Sequence, residues 1–364
     1  MMKSGNYILA ILLLGLTSCQ SKQRSPEQFV QSLPQVYPKK VSQFRKVDSL
    51  YFGHLGYQTI PMADGSVVIP LRKGQRLLQV TPEGKLIKEV AAPGRGPGEL
   101  KDPLFIQQTS NGGVLVVDQG NQKIIQFNSD LELVTELKPK PLESATVTGI
   151  YPIKGRGQYV IRASSNKFLF DKEASPSMIL SSYSLDDGYG KQLTLRTRPM
   201  ALLMIDGQLA GGRKVPFASS QQIASDPGTE SLYSYWTGSS KIAELSTNLD
   251  TLNTIRVNLP AQKLSDAEYD SIEADTRDQQ WKTLKDRLPE VKVPVGRMLV
   301  DRRGRFWLKL NYRGYTQKWL IMTRDGKFQK IVHLPTGSML THISDKNLGV
   351  RLDDITFVLF EPVK

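Results

Sequence analysis

The chain has 364 residues, of which 39% are hydrophobic and 23% are charged. This composition excludes an intrinsically disordered protein and is sufficient for a sizeable hydrophobic core. The formal net charge is +13 at pH 7, and Cys19 is the single cysteine, so an internal disulfide is excluded.

The N-terminus has the features of an export signal. Lys3 precedes an apolar run over residues 7–16, which is too short to span a bilayer as a helix. The run ends in Leu16-Thr17-Ser18-Cys19, which resembles a bacterial lipoprotein signal. We interpret residues 1–18 as the signal peptide and Cys19 as the lipidation site; an ordinary signal peptide with a chance cysteine is the alternative. Gln20, in place of Asp, indicates the outer membrane, facing the periplasm or the cell surface.

Export limits the partners that a basic chain can have. Removal of residues 1–18 takes away only Lys3, so the net charge becomes +12. Nucleic acid is therefore not an expected partner, whereas an envelope protein, an anionic glycan or a lipid headgroup is. A solvated basic surface without a specific partner is the alternative. We expect the membrane to be contacted through the N-terminal lipid, and the polar residues 19–40, with three prolines, to form a tether.

A repeated unit predicts the architecture. Short β-branched runs alternate with Asn-Gly or Asp-Gly turns, and equivalent positions in the first two units are 47 residues apart (Gly65 to Gly112, Val80 to Phe127). Noisier copies follow near residues 155, 226, 303 and 345. A period of about 40–50 residues with about four strands is typical of a β-propeller blade. The sequence thus predicts an all-β, six-bladed β-propeller with four-stranded antiparallel blades over residues 41–364.

The predicted blades follow one another along the chain. Blades one and two occupy residues 57–137, and blade three occupies 146–198 with an insertion at 166–176. Blade four is irregular, with an extra hairpin near 201–212, and blade five begins at Val295. The C-terminal strands are one short of a blade, so we expect an N-terminal strand within Val41–Leu50 to complete it and remove the open edge.

Residues 262–288 interrupt the β pattern. Ser265 and Glu268 form a capping box, and Ile272, Trp281 and Leu284 can share one helical face. We expect a short helical insertion packed on the propeller rim through Trp281. A lid over a binding face is the alternative.

The Gly-rich loop identifies a family resemblance. Gly94-Arg95-Gly96-Pro97-Gly98-Glu99-Leu100, followed by Pro103, an Asn-Gly turn, Asp118, Asn121, Ile124 and Phe127, resembles the NHL-type six-bladed β-propellers. The lipid-anchored members of Gram-negative bacteria are the most similar. The resemblance implies a rigid platform that binds protein, glycan or other ligands. A minority of similar folds are metal-dependent lactonases or lyases.

Catalytic motifs have no support in the sequence. Gly94-Arg95-Gly96 lacks the third glycine of a dinucleotide loop and precedes strands, so we expect no cofactor. His54, His333 and His342 have no metal-ligand spacing, and there is no Gly-x-Ser-x-Gly elbow, so we assign neither metal nor catalytic residues. The rival interpretation is a metal-dependent hydrolase or lyase, lactonase-like, with its site at the central channel. Inward carboxylates or amides would favour it, whereas an apolar or basic channel would favour binding.

Blade topology selects candidate binding residues. The loop that enters the first strand of a blade lies on the same face as the loop between its second and third strands. The cationic and aromatic side chains there suit an anionic or sugar-bearing ligand, although ordinary turn chemistry could explain the same residues. The candidates are Arg72, Lys73, Arg95, Glu99, Asp118, Asn121, Tyr312, Arg313 and Tyr315.

Overall fold

The fold is a six-bladed β-propeller, seen in a computed structural model that describes residues 24–154, 157–167, 176–205 and 208–364. Each blade has four antiparallel strands, and the first strand of every blade lines the central channel. The predicted signal peptide and Cys19 lie outside the described residues, as does most of the predicted insertion at 166–176.

The first three blades follow the predicted order. Their strands are, for blade one, β5 (Ile60–Pro61), β6 (Val67–Leu71), β7 (Arg76–Val80) and β8 (Leu86–Ala91); for blade two, β9 (Pro103–Gln108), β10 (Val114–Asp118), β11 (Lys123–Phe127) and β12 (Leu133–Leu137); and for blade three, β13 (Ala145–Pro152), β14 (Gln158–Ser165), β15 (Ser177–Ser184) and β16 (Gly188–Arg196).

The last three blades complete the ring. Their strands are, for blade four, β19 (Gln221–Ser225), β20 (Leu232–Trp236), β21 (Lys241–Leu245) and β22 (Thr251–Arg256); for blade five, β25 (Val295–Val300), β26 (Phe306–Leu310), β27 (Thr316–Met322) and β28 (Phe328–Pro335); and for blade six, β29 (Met339–Ile343), β30 (Leu348–Arg351), β31 (Phe357–Phe360) and β2 (Lys40–Phe44).

Blade six takes its outer strand from the other end of the chain. β2 pairs antiparallel with β31, with Phe44 opposite Phe357. The strand is shorter than the predicted segment Val41–Leu50. The chain turns at Asp48, whose φ is 52°, and forms the small hairpin β3 (Lys46–Val47) and β4 (Leu50–Tyr51).

The predicted tether is wrong over its described part. Helix α1 (Pro26–Gln31) begins at a capping box formed by Ser25 and Gln28. Phe29 and Val30 of this helix are buried against blades four and five. Strand β1 (Gln35–Val36) then pairs parallel with β28 and becomes a fifth strand of blade five. The segment folds because it buries two apolar side chains and covers an open strand edge.

An accessory layer, which we call the cap, is formed by the two chain segments that connect blade three to blade four and blade four to blade five. It contains the hairpin β17 (Met200–Ile205) and β18 (Gln208–Lys214), the helices α2 (Asp266–Ala274) and α3 (Asp278–Leu284), a 3-10 turn (Lys285–Arg287) and the small strands β23 (Gln262–Lys263) and β24 (Val291–Lys292). The capping box of Ser265 and Glu268 is present, as predicted. The helices pack on the hairpin through Ala201, Ile272 and Leu284, with Trp281 beside them, so the expected packing on the rim is replaced by packing on the hairpin.

Apolar side chains between neighbouring blades form the core. One cluster joins blades one and two through Val68 and Ile106, and another joins blades five and six through Trp319 and Leu340. A third joins blades six and one, where Phe357 meets Val67. Each blade therefore depends on its neighbours, and the ring is stable only when it is closed.

The N-terminal helix provides a stability test. Replacement of Phe29 by alanine should lower the free energy of unfolding by about 3 kcal/mol, because the ring is 8% exposed and lies 5.3 Å from the Phe328 ring. Leu252→Ala, at a side chain that is 66% exposed, is the control and should change it by less than about 0.5 kcal/mol. Urea denaturation measures both. Equal, negligible effects would restore the tether interpretation.

Candidate functional site

The central channel is narrow and polar. First strands from all six blades line a cavity of 90 Å³. Among the described residues, its polar side chains are amides, hydroxyls, one imidazole and one guanidinium: Gln58, Thr59, Gln107, Gln108, Tyr151, Ser225, Arg302, Thr341 and His342. The channel itself is therefore lined mainly by neutral hydrogen-bonding groups.

His342 is part of the channel wall and is 6% exposed. Its Nδ1 lies 2.6 Å from the Thr59 hydroxyl, and its Nε2 lies 2.7 Å from the Asn347 amide oxygen. Burial lowers the pKa of the ring from 6.5 to about 4. The imidazole is thus neutral at pH 7, and both ring nitrogens are occupied.

The channel does not fit a metal site. A lactonase-like centre needs several carboxylate or imidazole ligands that converge on one point. Within the described ranges, no group of three His, Cys, Asp or Glu side chains could hold an ion. His342 is the one imidazole in the channel cavity, and it has no carboxylate beside it there.

The predicted residues of blades one and two form a connected network. Arg72 donates two hydrogen bonds to Asp102, at 2.9 and 2.8 Å. Asp118 is fully buried and accepts from the backbone N–H of Asp102 at 2.6 Å. Asn121 donates to Asp118 at 2.7 Å and to the Gly94 carbonyl at 2.9 Å. These contacts hold the Gly-rich loop in place.

Glu99 has a similar structural role. Its carboxylate accepts from the Gly96 backbone N–H at 2.7 Å. A Cβ at Gly94, whose φ is 157°, would lie 1.9 Å from this carboxylate, so any other residue there would be strained and would displace Glu99 from its hydrogen bond. The loop motif is therefore explained by local turn chemistry.

The remaining predicted residues are separate from that network. Lys73 and Arg95 are exposed, and the Tyr315 side chain is fully exposed. The Tyr312 hydroxyl donates to the Pro260 carbonyl at 2.7 Å, and burial raises its pKa. Arg313 contacts Glu268 of the cap, with Nε 3.3 Å from the carboxylate. Ligand binding by the nine predicted residues remains a prediction.

A second, larger pocket lies beside the channel mouth, on the face that carries the cap. We call it the cationic pocket. Its volume is 460 Å³, and blades five and six form most of its wall together with the stem of the cap hairpin. Its charged residues are Arg198, Arg297, Lys309, Arg351 and Asp353, which gives four cations, one carboxylate and a formal charge of +3. Phe217 and Trp319 supply aromatic walls.

The cations of this pocket are poorly neutralised. Among the described residues, no carboxylate forms an ion pair with Arg198, Arg297 or Lys309. Burial and the neighbouring Arg351 lower the pKa of Arg297 to about 10. Burial, together with Arg297 and Arg198, also lowers the pKa of Lys309. Arg351 is partly satisfied by the Leu55 carbonyl at 2.7 Å and by Asp354 at 3.7 Å.

Trp319 adds a neutral donor to the pocket wall. It is fully buried, and its indole Nε1–H has no hydrogen-bond partner among the described residues. Trp307, also fully buried, donates from Nε1 to Asp301 at 2.9 Å. A buried donor without a partner costs about 1–3 kcal/mol. The lining of the pocket therefore combines unpaired positive charge with a residue whose buried N–H is unsatisfied.

The sequence prediction missed all members of this pocket. A usable signal exists: Arg297, Lys309 and Arg351 are single cations within short apolar strands (VGRMLV, FWLKL and LGVR). A charge inside such a strand is costly unless it has a partner or a function. The predicted binding residues follow from loop positions in the blade, and the blade topology alone does not single out these strand residues.

Comparison with solved structures supports the fold. The chain is similar to a member of the DUF4221 family from Bacteroides vulgatus, at 9% identity and a TM-score of 0.50, covering 89% of this chain and 96% of that one. It is also similar to a protein named as exported from Bacteroides fragilis (9% identity, TM-score 0.46, 91% and 99% covered). Virginiamycin B lyase from Staphylococcus aureus is a further match, at 11% identity and a TM-score of 0.45, covering 88% of this chain and 98% of that one. At these identities the likeness extends to the fold alone.

Sequence comparisons are less informative. No protein-family profile matches the chain, and no curated protein matches it significantly. None of the helices that the structure describes is long and apolar enough to cross a membrane.

The buried imidazole predicts a pH effect on stability. Above pH 6.5, His342 is neutral in the folded and unfolded chain alike; below it, the unfolded chain binds a proton that the folded ring resists until about pH 4. Acidification from about pH 7 to pH 5 should therefore lower the free energy of unfolding of the wild type by roughly 2 kcal/mol more than that of His342→Gln. Urea melts at both pH values measure this difference. Parallel pH profiles for the two proteins would show that His342 titrates normally.

Proposed function

We propose that this protein is a lipid-anchored β-propeller of the cell envelope that acts as a non-catalytic binding module for an anionic ligand. The observation that carries the proposal is the cationic pocket, where four basic side chains and one carboxylate surround 460 Å³. Excess positive charge in a partly buried space favours an anion, because the ligand supplies the counter-charge that the protein lacks.

The size and construction of the pocket suit this role. Small-molecule sites are typically about 300–1,000 Å³ in volume. Arg297 and Lys309 lie on paired strands of one blade, so their positions are set by the sheet. Phe217 belongs to the segment that follows the cap hairpin and forms another wall. A rigid wall keeps the donors in place without a ligand, which reduces the entropic cost of binding.

The envelope location rests on the N-terminal sequence. The apolar run that ends at Cys19 is followed by Gln20, a pattern that favours a lipid anchor and the outer membrane. The NHL-type resemblance of residues 94–127 points to the same group of lipid-anchored propellers. An envelope protein or glycan that carries acidic groups would then be the natural partner.

The enzymatic alternative has weaker support. Inward carboxylates or amides are the feature expected of a metal-dependent hydrolase or lyase at the channel, and within the described part of the chain the channel meets this expectation with amides and not with carboxylates. Three glutamines, Gln58, Gln107 and Gln108, do line the channel, but amides alone bind divalent cations weakly. We therefore assign no catalytic step to this site.

Two matched double variants test where an anion binds. Replacement of Arg297 and Lys309 by glutamine should weaken binding to an acidic glycan or lipopolysaccharide by about 3 kcal/mol, since two charge-assisted hydrogen bonds are lost. The control replaces Lys73 and Arg95 by glutamine. These two residues are exposed on the same face, and their replacement changes the net charge by the same amount as the pocket variant. The full chain in neutral detergent is titrated with the acidic glycan or lipopolysaccharide at low and high salt. A neutral glycan is titrated in the same way for comparison.

The control decides between the pocket and the loops. Equal losses in both variants would indicate a diffuse electrostatic surface, and a loss confined to Lys73 and Arg95 would place binding on the exposed loops. Either result would contradict the proposal.

The anchor has its own test. Cys19→Ala should abolish labelling by a fatty-acid analogue and release the protein from membranes, because the sulfur that carries the lipid is gone. Ser18→Ala keeps the cysteine and should retain the label. Undiminished labelling of the Cys19 variant would remove the lipoprotein assignment.

A further inference from the structure

We propose that the cationic pocket recognises a phosphate monoester, and that Arg297, Lys309 and Trp319 donate to its three terminal oxygens. This inference rests on the proposed function and names the chemical class of the ligand. It is based on the arrangement of these three side chains on consecutive strands.

The three donors form one row across blade five. Arg297 on β25 lies opposite Lys309 on β26, and Lys309 lies opposite Trp319 on β27. Residues directly opposite one another on paired antiparallel strands share a face of the sheet, about 4.5–5.5 Å apart. All three line the cationic pocket. Arg297, Lys309 and Trp319 thus occupy adjacent positions on one face of the blade, with the indole of Trp319 buried at the end of the row.

The number of oxygens favours a phosphoryl group. A carboxylate has two oxygens, whereas a phosphate monoester offers three strong acceptors. The Trp319 N–H is a neutral donor that lacks a partner among the described residues, so a third acceptor oxygen would satisfy it. Arginine is well suited to phosphate because its planar donors can bind two oxygens together.

The charge of the pocket favours a dianion. Counted over the described residues, the formal charge of the lining is +3, and Asp353 is its only carboxylate. That carboxylate is already engaged, since it accepts from the Ile355 backbone N–H at 2.9 Å and from the Thr356 hydroxyl at 2.8 Å. A phosphate monoester carries about −1.5 to −2 charges at pH 7, against −1 for a carboxylate or a sulfate ester. A dianion therefore neutralises more of the crowded positive charge.

Closely related probes separate the effect of the number of acceptor oxygens from the effect of the ligand's charge. The full chain in neutral detergent is titrated with glucose 6-phosphate, glucose 6-sulfate, glucuronate and glucose. The sulfate ester has three oxygens but one charge, and glucuronate has two oxygens and one charge. We expect glucose 6-phosphate to bind at least about tenfold more tightly than either monoanion, and glucose to show no binding.

The same phosphate chemistry could come from a lipid headgroup. A second arm therefore measures co-sedimentation of the Cys19→Ala protein, which lacks the proposed lipid, with phosphatidylcholine vesicles that contain or lack phosphatidic acid. Binding to phosphatidic acid that glucose 6-phosphate displaces would assign a lipid source. Binding of the sugar phosphate without vesicle binding would assign a soluble source. Both results support recognition of a phosphate monoester.

Trp319→Phe tests the third donor: it removes the N–H together with the five-membered ring and keeps a six-membered aromatic ring, and because Trp319 is fully buried, the unfolding of the variant is measured alongside. It should weaken glucose 6-phosphate binding about tenfold, whereas Trp281→Phe, in the cap, should not. In proton NMR spectra, the indole signal lost in Trp319→Phe should be the wild-type signal that moves on addition of glucose 6-phosphate. An unmoved signal with unchanged affinity would contradict the assigned donor.

The results also distinguish this inference from the proposed function. Equal affinity for glucuronate and glucose 6-phosphate, or binding of acidic glycan without any binding of phosphate, would overturn the inference and leave an anion-binding module. Absence of binding to every anion would overturn both.

Discussion

Ring closure is the constraint on which the rest of the structure depends. A propeller blade packs against two neighbours, so a blade with an open edge weakens the whole ring. Here β2 completes blade six by pairing with β31, and β1 adds a strand to blade five. The two blades that receive N-terminal strands are the same two that form most of the cationic pocket. The segment nearest the proposed anchor therefore supports the walls of the proposed site.

The cations of the pocket lack carboxylate partners, and this is the feature that indicates a functional site. Elsewhere in the described chain, buried basic groups have partners: Lys123 lies 2.6 Å from Glu136, and Lys292 lies 2.6 Å from Glu268. Arg297 and Lys309 lack such a carboxylate within the described residues, although burial lowers the pKa of each. Arg297 and Lys309 are half-buried, and cations held there without a carboxylate partner cost stability. Such a cost is expected at functional sites.

Much of the fold could be predicted from the sequence, because short β-branched runs and Gly-containing turns are local signals. The spacing of 47 residues between Gly65 and Gly112 was enough to indicate blades. The sequence predicts a tether over Ser25–Val36, where the structure has a helix and a strand, because a short polar stretch after a signal peptide is typical of a linker; the capping box of Ser25 and Gln28 is the one local signal for the helix. The order of this segment depends on contacts with Phe328 and β28, which are about 300 residues away in sequence.

The candidate site was harder to predict for a physical reason. Glu99, Asp118 and Asn121 have functional-looking side chains, but they stabilise their own loop, and this was visible only once their backbone partners were known. Arg297 and Lys309 are opposite each other on consecutive strands, but Arg198 and Arg351 come from distant parts of the chain, and only the ring geometry brings them to the same pocket. Local sequence can mark a cation within an apolar strand, but it does not show which of these cations converge.

The most direct measurement is the location of a bound anion. Crystals of the protein soaked in selenate should show an anomalous peak within hydrogen-bonding distance of the Arg297 guanidinium, the Lys309 ammonium and the Trp319 indole nitrogen. Peaks only at the exposed Lys73 and Arg95 loops, with the cationic pocket free of selenate, would contradict the account.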